Sequence, residues 1–182
     1  QRVTDVLVVG GGPAGSSAAY WAATAGLNVL LLEREVMPRE RVCGDALTPK
    51  AAGQLYDMGL EEDTKELHRH FGLRMTARGH SIDLDWPGDH DHPDHGLVIR
   101  RSRLDTLLNS NAVRAGAEVW TGVEVKNPII EYGHLRGCQA VGTGAGTGPE
   151  GALEVRAKFV IIADGPISNF GRALGTARSR NY

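Results

Sequence analysis

No run of apolar residues in this chain approaches the roughly 20 positions that a helix needs to cross a bilayer, so a helical membrane span is not expected. Cysteine is scarce: Cys43 and Cys138 are the only two, far apart and in no metal-like spacing. That excludes a disulfide scaffold or zinc knuckle and makes a reducing compartment the simpler reading. An excess of either charge is missing too, since 20 Lys and Arg stand against 22 Asp and Glu with the signs interspersed. A nucleic-acid partner or a polybasic membrane anchor is therefore not expected. No secretion signal precedes the first strand, and a cytoplasmic location is the expectation. With 41% apolar and 23% charged residues, the composition is that of an ordinary soluble protein. At 182 residues the chain suffices for one domain, or for one domain and part of another.

What is present is concentrated in the stretch from Asp5 to Arg34. Val6, Leu7, Val8 and Val9 form a short apolar run, and Gly10, Gly12 and Gly15 follow in the G-x-G-x-x-G spacing. Each glycine has a mechanical task in a dinucleotide turn. Gly10 turns the chain off the strand, Gly12 lets a diphosphate approach the backbone, and Gly15 lets the helix lie close to the sheet. The pattern predicts a helix from Pro13, tolerated in a first turn, through Ala14 to Ala25, with Gly26 as its stop. Its first-turn amides and dipole suit a phosphate. A second strand, Asn28 to Leu32, ends at Glu33, where such sites place the carboxylate that accepts from the adenosine ribose. An acid there also disfavours a 2′-phosphate.

Further on, Thr48 and Pro49 start a helix with Ala52, Leu55 and Met58 at helical spacing, ended by Gly59. Between it and Glu33 lies a charged loop containing Cys43-Gly44-Asp45, placed where the rest of a long cofactor could pass, which favours a flavin over a nicotinamide. Phe71 to Asp85 reads as a hairpin turning at Gly79. The tract from Trp86 to Gly96, with His90, His92 and His95, is either a solvated loop or a metal site. A short strand, Leu97 to Arg100, precedes a helix from Ser102 to Ala115 whose apolar side is Leu104, Leu107, Leu108, Ala112 and Val113. Arg101 at that junction is either a surface cation or a cofactor contact. Strands are expected at Glu118 to Val125 and Ile129 to Val141, then a flexible glycine loop from Gly142 to Gly151. Last come strands at Glu154 to Ala157 and Phe159 to Ala163, the final one buried in a parallel sheet. Asp164-Gly165 follows at that strand's carboxyl end, where Asp164 can serve a ligand, cap the next helix, or both.

Three features in this order, GGGPAG with Glu33, the Arg101-x-x-Leu104-Asp105 junction, and IIADGPIS, resemble the flavoprotein family that includes para-hydroxybenzoate hydroxylase type monooxygenases and geranylgeranyl reductases. RVCGDALTPKAAGQL is most similar to the geranylgeranyl reductase branch and, within it, to actinobacterial menaquinone reductases. The resemblance implies an α/β fold: a Rossmann-like FAD-binding domain of the glutathione reductase / para-hydroxybenzoate hydroxylase type. It would have a parallel sheet, a β-meander and part of an antiparallel substrate-domain hairpin, with residues 1–70 and 97–182 binding FAD and 71–96 in the substrate domain. It further implies that Gly10, Gly12, Pro13, Ala14 and Gly15 hold the FAD diphosphate and that Glu33 and Arg34 serve the adenosine end. Cys43 and Gly44 would line the flavin, Arg101 would contact the cofactor, Val123 would hold adenine by its main chain, and Asp164 would be the acid of the Asp-Gly motif. The implied reaction is reduction of an isoprenoid C=C bond, as in the menaquinone side chain, with NAD(P)H or another reductant as electron donor. Cys43 is either a proton donor or a packing residue there, and no metal is implied. The implied partner is a polyprenyl quinone or other isoprenoid lipid, with room for peripheral contact at the inner face of the plasma membrane. The alternatives are an aromatic monooxygenase of the same fold and a non-catalytic flavin-binding redox module. Two departures stand out. Gly171 occupies the place where the family's Asp-Gly-x-x-Ser-x-x-Arg motif has arginine, Arg172 coming one later, and the family's later Gly-Asp motif does not occur, which points to an N-terminal fragment.

Overall fold

The computed structural model describes residues 1–41, 44–88 and 92–176. In chain order the elements are β1 (Arg2–Val9), α1 (Pro13–Thr24), β2 (Val29–Glu33), β3 (Ala46–Leu47), α2 (Pro49–Asp57), α3 (Glu61–Thr64), β4 (His68–His70), β5 (Gly72–Ala77) and β6 (His80–Asp85). They continue with β7 (Gly96–Val98), α4 (Arg101–Arg114), β8 (Glu118–Thr121), β9 (Val123–Glu131), β10 (His134–Gly142), β11 (Gly151–Ile162) and α5 (Asn169–Ala173). They divide into two compact units, Gln1–Arg39 with Leu104–Tyr182, and Glu40–Arg103.

The first unit is built on a six-stranded sheet in the order β8-β2-β1-β11-β10-β9. β8, β2, β1 and β11 run parallel, and β10 and β9 are antiparallel. The first β-α-β unit follows its sequence pattern: Pro13 opens α1, Gly26 ends it at φ +82°, and all five residues of β2 are buried. The alternation of β1 explains its two cores. Val6 and Val8 pack with Ala19 and Ala23 of α1 and Ala112 of α4. Leu7 and Val9 pack on the other face with Val123, Cys138, Val155 and Phe170.

Five expectations are corrected. The predicted strand Glu118–Val125 is broken at Gly122, whose φ of +73° turns the chain from the parallel β8 into the antiparallel β9. Likewise Tyr132 and Gly133, both at positive φ, turn the chain inside the predicted strand Ile129–Val141, so that residues 129–131 end β9 and β10 begins at His134. The last two predicted strands are one, β11, which pairs antiparallel with β10 along its first part and parallel with β1 from Val155 onward. Its end is not fully buried, because only one face packs on the core and Phe159 and Ile161 lie on the exposed one. In α4 the buried side carries Asp105, Asn109 and Asn111 beside Leu104, Leu108 and Ala112, whereas Val113 is exposed.

The second unit holds the sheet β3-β7-β4 and the hairpin β5-β6. Thr48 caps α2 as predicted, its Oγ1 accepting from the Ala51 amide at 3.4 Å. The hairpin turns at Arg78 and Gly79, both at positive φ, the backbone of a two-residue turn that follows strand twist. Among the described residues no helix is long and apolar enough to cross a membrane.

Candidate cofactor site at the glycine turn

In an open sheet with parallel strands, ligands gather at the strands' carboxyl ends. That edge of the first unit brings together Gly10 after β1, Glu33 at the end of β2, Thr121–Val123 at the β8–β9 junction, and Asp164 just beyond β11. Gly10 sits at φ +101°, and a Cβ there would lie 2.4 Å from the Ala163 carbonyl oxygen and 2.8 Å from Asp164 Cα. A Cβ on Gly15 would lie 1.8 Å from the Gly10 carbonyl oxygen. These two glycines therefore serve close backbone packing.

Gly12 is different. Its backbone is extended, and among the described residues the only neighbour a Cβ would meet is Arg39 Nη2, at 3.4 Å. No described side chain caps α1. Pro13 lacks an N–H, and the amides of Ala14 and Gly15 have no acceptor within the helix, whose first ladder bond runs from Ser16 to the Gly12 carbonyl at 2.9 Å. Open amides beside a bare glycine fit a diphosphate.

Glu33 is buried at 3% exposure, beside a network that the sequence reading missed. Its Oε2 accepts from the Gly11 amide at 2.7 Å, and its Oε1 accepts from the Glu35 amide at 2.9 Å and pairs with Arg39 Nη1 at 2.8 Å. Arg39 also donates through Nε and Nη2 to Oδ2 of the fully buried Asp105, at 3.2 and 3.1 Å. Asn109, one helical turn beyond Asp105, donates through Nδ2 to the Gly11 carbonyl, the Asp105 carbonyl and Ser16 Oγ. Its Oδ1, although buried, has no hydrogen-bond partner among the described residues. The i, i+4 spacing of Asp105 and Asn109 was the available signal; an apolar count passes over it.

The other expected residues are placed as follows. Arg34 is exposed and pairs with Glu35 at 3.3 Å. Val123 opens β9, buried, with Gly148 so close that a Cβ there would lie 2.2 Å from Val123 Cγ2. Asp164 is exposed and does not cap α5; Ser168 does, its Oγ accepting from the Gly171 amide at 2.7 Å. A side chain at Gly171 would meet Ser168 Oγ and Thr176 Oγ1, each at 2.7 Å, so this position has no room for the family's arginine. In the second unit Gly44 is exposed at φ +41°. Next to it Asp45 accepts the Arg101 amide through Oδ1 at 3.1 Å, serving the first turn of α4. Cys43 and His90 lie outside the described residues. His95 bonds Tyr56 Oη through Nε2 at 3.0 Å and Asp94 through Nδ1 at 2.9 Å, and burial pushes the Tyr56 hydroxyl pKa up. Among the described residues no cluster of histidine, cysteine or acid could hold a metal.

The loop from Gly142 to Gly151 joins β10 to β11 as predicted, but it is not loose. Thr147 and Thr121 bond reciprocally, each amide to the other's Oγ1, at 3.0 and 3.1 Å. The Gly148 amide donates to the Thr121 carbonyl and the Thr143 amide to that of Gly122.

Known proteins match this arrangement. Menaquinone reductase of Mycobacterium tuberculosis is 39% identical over 171 residues, which are 94% of this chain and 40% of that protein. The solved geranylgeranyl bacteriochlorophyll reductase-like protein of Thermoplasma acidophilum matches with a TM-score of 0.79 at 32% identity, over 96% of this chain and 42% of that one. A myxobacterial FAD-dependent chondrochloren halogenase matches with a TM-score of 0.84 at 28% identity, over 95% and 40%. This chain thus spans about 40% of the length of the curated relatives it matches. The model of the family described as the FAD binding domain covers residues 3–181, nearly the whole of the sheet and turn just described, and the chain belongs to that family, with its para-hydroxybenzoate hydroxylase type fold.

Proposed function

We propose that this chain supplies the adenosine-binding part of an FAD-dependent oxidoreductase that reduces an isoprenoid C=C bond, with one isoprene unit of a menaquinone side chain as the substrate. The observation that carries the reading is the open, uncapped glycine turn next to a buried Glu33, in a chain similar over nearly its whole length to a menaquinone reductase. FAD, when bound, supplies the hydride chemistry. The amides of Ala14 and Gly15 and the bare backbone of Gly12 bind the diphosphate, Glu33 orients the ribose, Val123 faces adenine, and Asp164 closes the strand edge next to Gly10. Arg34, Gly44 and Arg101 make further cofactor contacts, with residues 71–96 on the substrate side. Cys43 is the candidate proton donor to the second alkene carbon. NAD(P)H is the proposed source of electrons, and the lipid substrate is met at the inner face of the plasma membrane. Removing the gene and weighing the membrane quinones tests the reading: loss of a species two hydrogens heavier supports it. Unchanged quinones sink it.

The fold similarity to a halogenase favours a second reading, an oxygen-using aromatic monooxygenase. A product heavier by one oxygen, not by two hydrogens, would establish that one instead.

A further inference from the structure

The carboxylate of Glu33 sits in a closed ring of polar contacts. Gly11 donates to Glu33, Asn109 donates to the carbonyls of Gly11 and Asp105, Asp105 holds Arg39, and Arg39 returns to Glu33. A carboxylate has about four acceptor positions. Two are filled by hydrogen bonds, one on Oε2 from the Gly11 amide and one on Oε1 from the Glu35 amide, and Arg39 Nη1 stands 2.8 Å from Oε1 as an ion pair that blocks its other side. Among the described residues one position remains, on Oε2.

The Arg39 contact is not one a ligand would easily displace. Its side chain is 9% exposed and forks onto an aspartate with no exposed surface. Pulling it away would break two hydrogen bonds to a buried carboxylate, which costs more than a single hydrogen bond to a ribose hydroxyl returns. Gly11, outside the G-x-G-x-x-G spacing, is part of the same ring. A Cβ there would lie 3.0 Å from Glu33 Cβ and 3.1 Å from Asn109 Oδ1, so a side chain would press on the carboxylate's own stem.

We propose that Arg39 is a positioning residue of the adenosine site: by occupying one oxygen of Glu33 it leaves a single open acceptor, so that Glu33 takes one ribose hydroxyl and not both. This rests on the cofactor site proposed above. It makes the pair Arg39–Asp105 a determinant of how the ribose is read.

Calorimetric titration of the full chain with ADP, 2′-deoxy-ADP and 3′-deoxy-ADP tests it. One deoxy analogue should bind about tenfold or more weaker than ADP and the other within about twofold, the loss of one charge-assisted bond. In the double variant Arg39→Met/Asp105→Asn, which removes both partners together, the second hydroxyl should gain an acceptor and both deoxy analogues should weaken. Comparable weakening by both analogues in the unmodified chain overturns the proposal, as does weakening by neither. An unchanged analogue pattern in a folded double variant overturns the role of Arg39. A double variant that fails to fold leaves the unmodified chain's analogue pattern to decide. No binding of ADP at all defeats the cofactor-site reading itself, an outcome distinct from a wrong hydroxyl pattern.

Discussion

Two glycine-rich stretches of the first unit, Gly10–Gly15 and Gly142–Gly151, look alike as composition and behave as opposites. In both, glycines are required where backbones meet: Gly15 against the Gly10 carbonyl, and Gly146 against the Thr121 carbonyl, where a Cβ would stand 2.1 Å from the oxygen. The difference lies in what becomes of the amides. At the first turn those of Ala14 and Gly15 have no acceptor within α1 and no side chain caps the helix. In the second stretch the amides of Thr143, Thr147 and Gly148 are taken by Thr121 and Gly122. A glycine loop becomes a phosphate cradle only when its donors are left over, and here one loop leaves them while the other consumes them.

The largest expected effect comes from breaking the first turn's packing. Gly15→Val would place the Cβ of a branched side chain 1.8 Å from the Gly10 carbonyl oxygen, with Val8 Cγ1 3.2 Å away. Overpacking of this kind costs several kcal/mol, on the order of 4 or more where nothing can yield. Thermal unfolding should show a chain that melts more than about 10 °C lower or does not fold. A variant that melts within a few degrees of the parent would mean the turn is not as tight as described.

The contrast between Gly12 and Gly146 sharpens the comparison. Among the described residues Gly12→Ala meets only Arg39 Nη2, at an ordinary contact distance of 3.4 Å, and keeps ordinary dihedrals. It should change stability by less than about 1 kcal/mol yet weaken ADP about tenfold or more by standing between backbone and diphosphate. Gly146→Ala should do the reverse, costing about 1–3 kcal/mol with ADP affinity within about twofold of the parent, a factor below the noise of one hydrogen bond. Denaturant unfolding and ADP titration on both variants check it. If both variants lose affinity, the closed loop belongs to the cofactor site.

How much of this was readable beforehand depends on whether local chemistry or long-range pairing decides the feature. Pro13, Gly26, the place of Glu33 at the end of β2 and the Thr48–Pro49 helix start follow from capping and periodicity, which a short window contains, and they are found as expected. The break at Gly122 and the merging of the last strands into β11 follow from which strand each segment pairs with, and no window holds that. The ring around Glu33 was missed for a different reason. Asp105 and Asn109 are polar residues on the buried side of α4, and apolar periodicity, which assigns that side to Leu104, Leu107, Leu108, Ala112 and Val113, finds Leu104, Leu108 and Ala112 but passes over the polar pair. Arg39 lay in a charged tract, Arg-Glu-Arg, where nothing in the residue types distinguishes a buried cation from a solvated one.

Both loops rest on one core, in which Leu7 and Val9 of β1 pack with Cys138 of β10 and Val123 of β9. Burial pushes the Cys138 thiol from an ordinary value of 9.0 up to about 12. In that window the unfolded chain releases the thiol proton while the folded chain keeps it, so folding stability is intact below about pH 9 and falls as pH rises toward 12, by at most about 1.4 kcal/mol per pH unit. Cys138→Ala removes this dependence. Comparing the two chains by denaturant unfolding at pH 8 and pH 10 should show a steeper loss in the parent. Parallel pH profiles would mean the thiol ionises equally in both states.

The loss of one hydroxyl separates the loops most cleanly. Thr147 Oγ1 accepts from the Thr121 amide at 3.0 Å and donates to the Val119 carbonyl at 2.9 Å, while its own amide reaches Thr121 Oγ1. Thr147→Val keeps the shape and the amide but removes the hydroxyl, leaving the Thr121 N–H without its acceptor. The cost should be about 1–2 kcal/mol, that of a partly exposed donor left unpaired. Because this bond ties the loop to β8 without reaching the glycine turn, ADP affinity should stay where it was, and hydrogen exchange should quicken at Thr121 while the amides of β1 and β2 keep their protection. If the amides of β1 and β2 also lose protection, the clasp is carrying the cofactor edge and the two glycine loops are not independent.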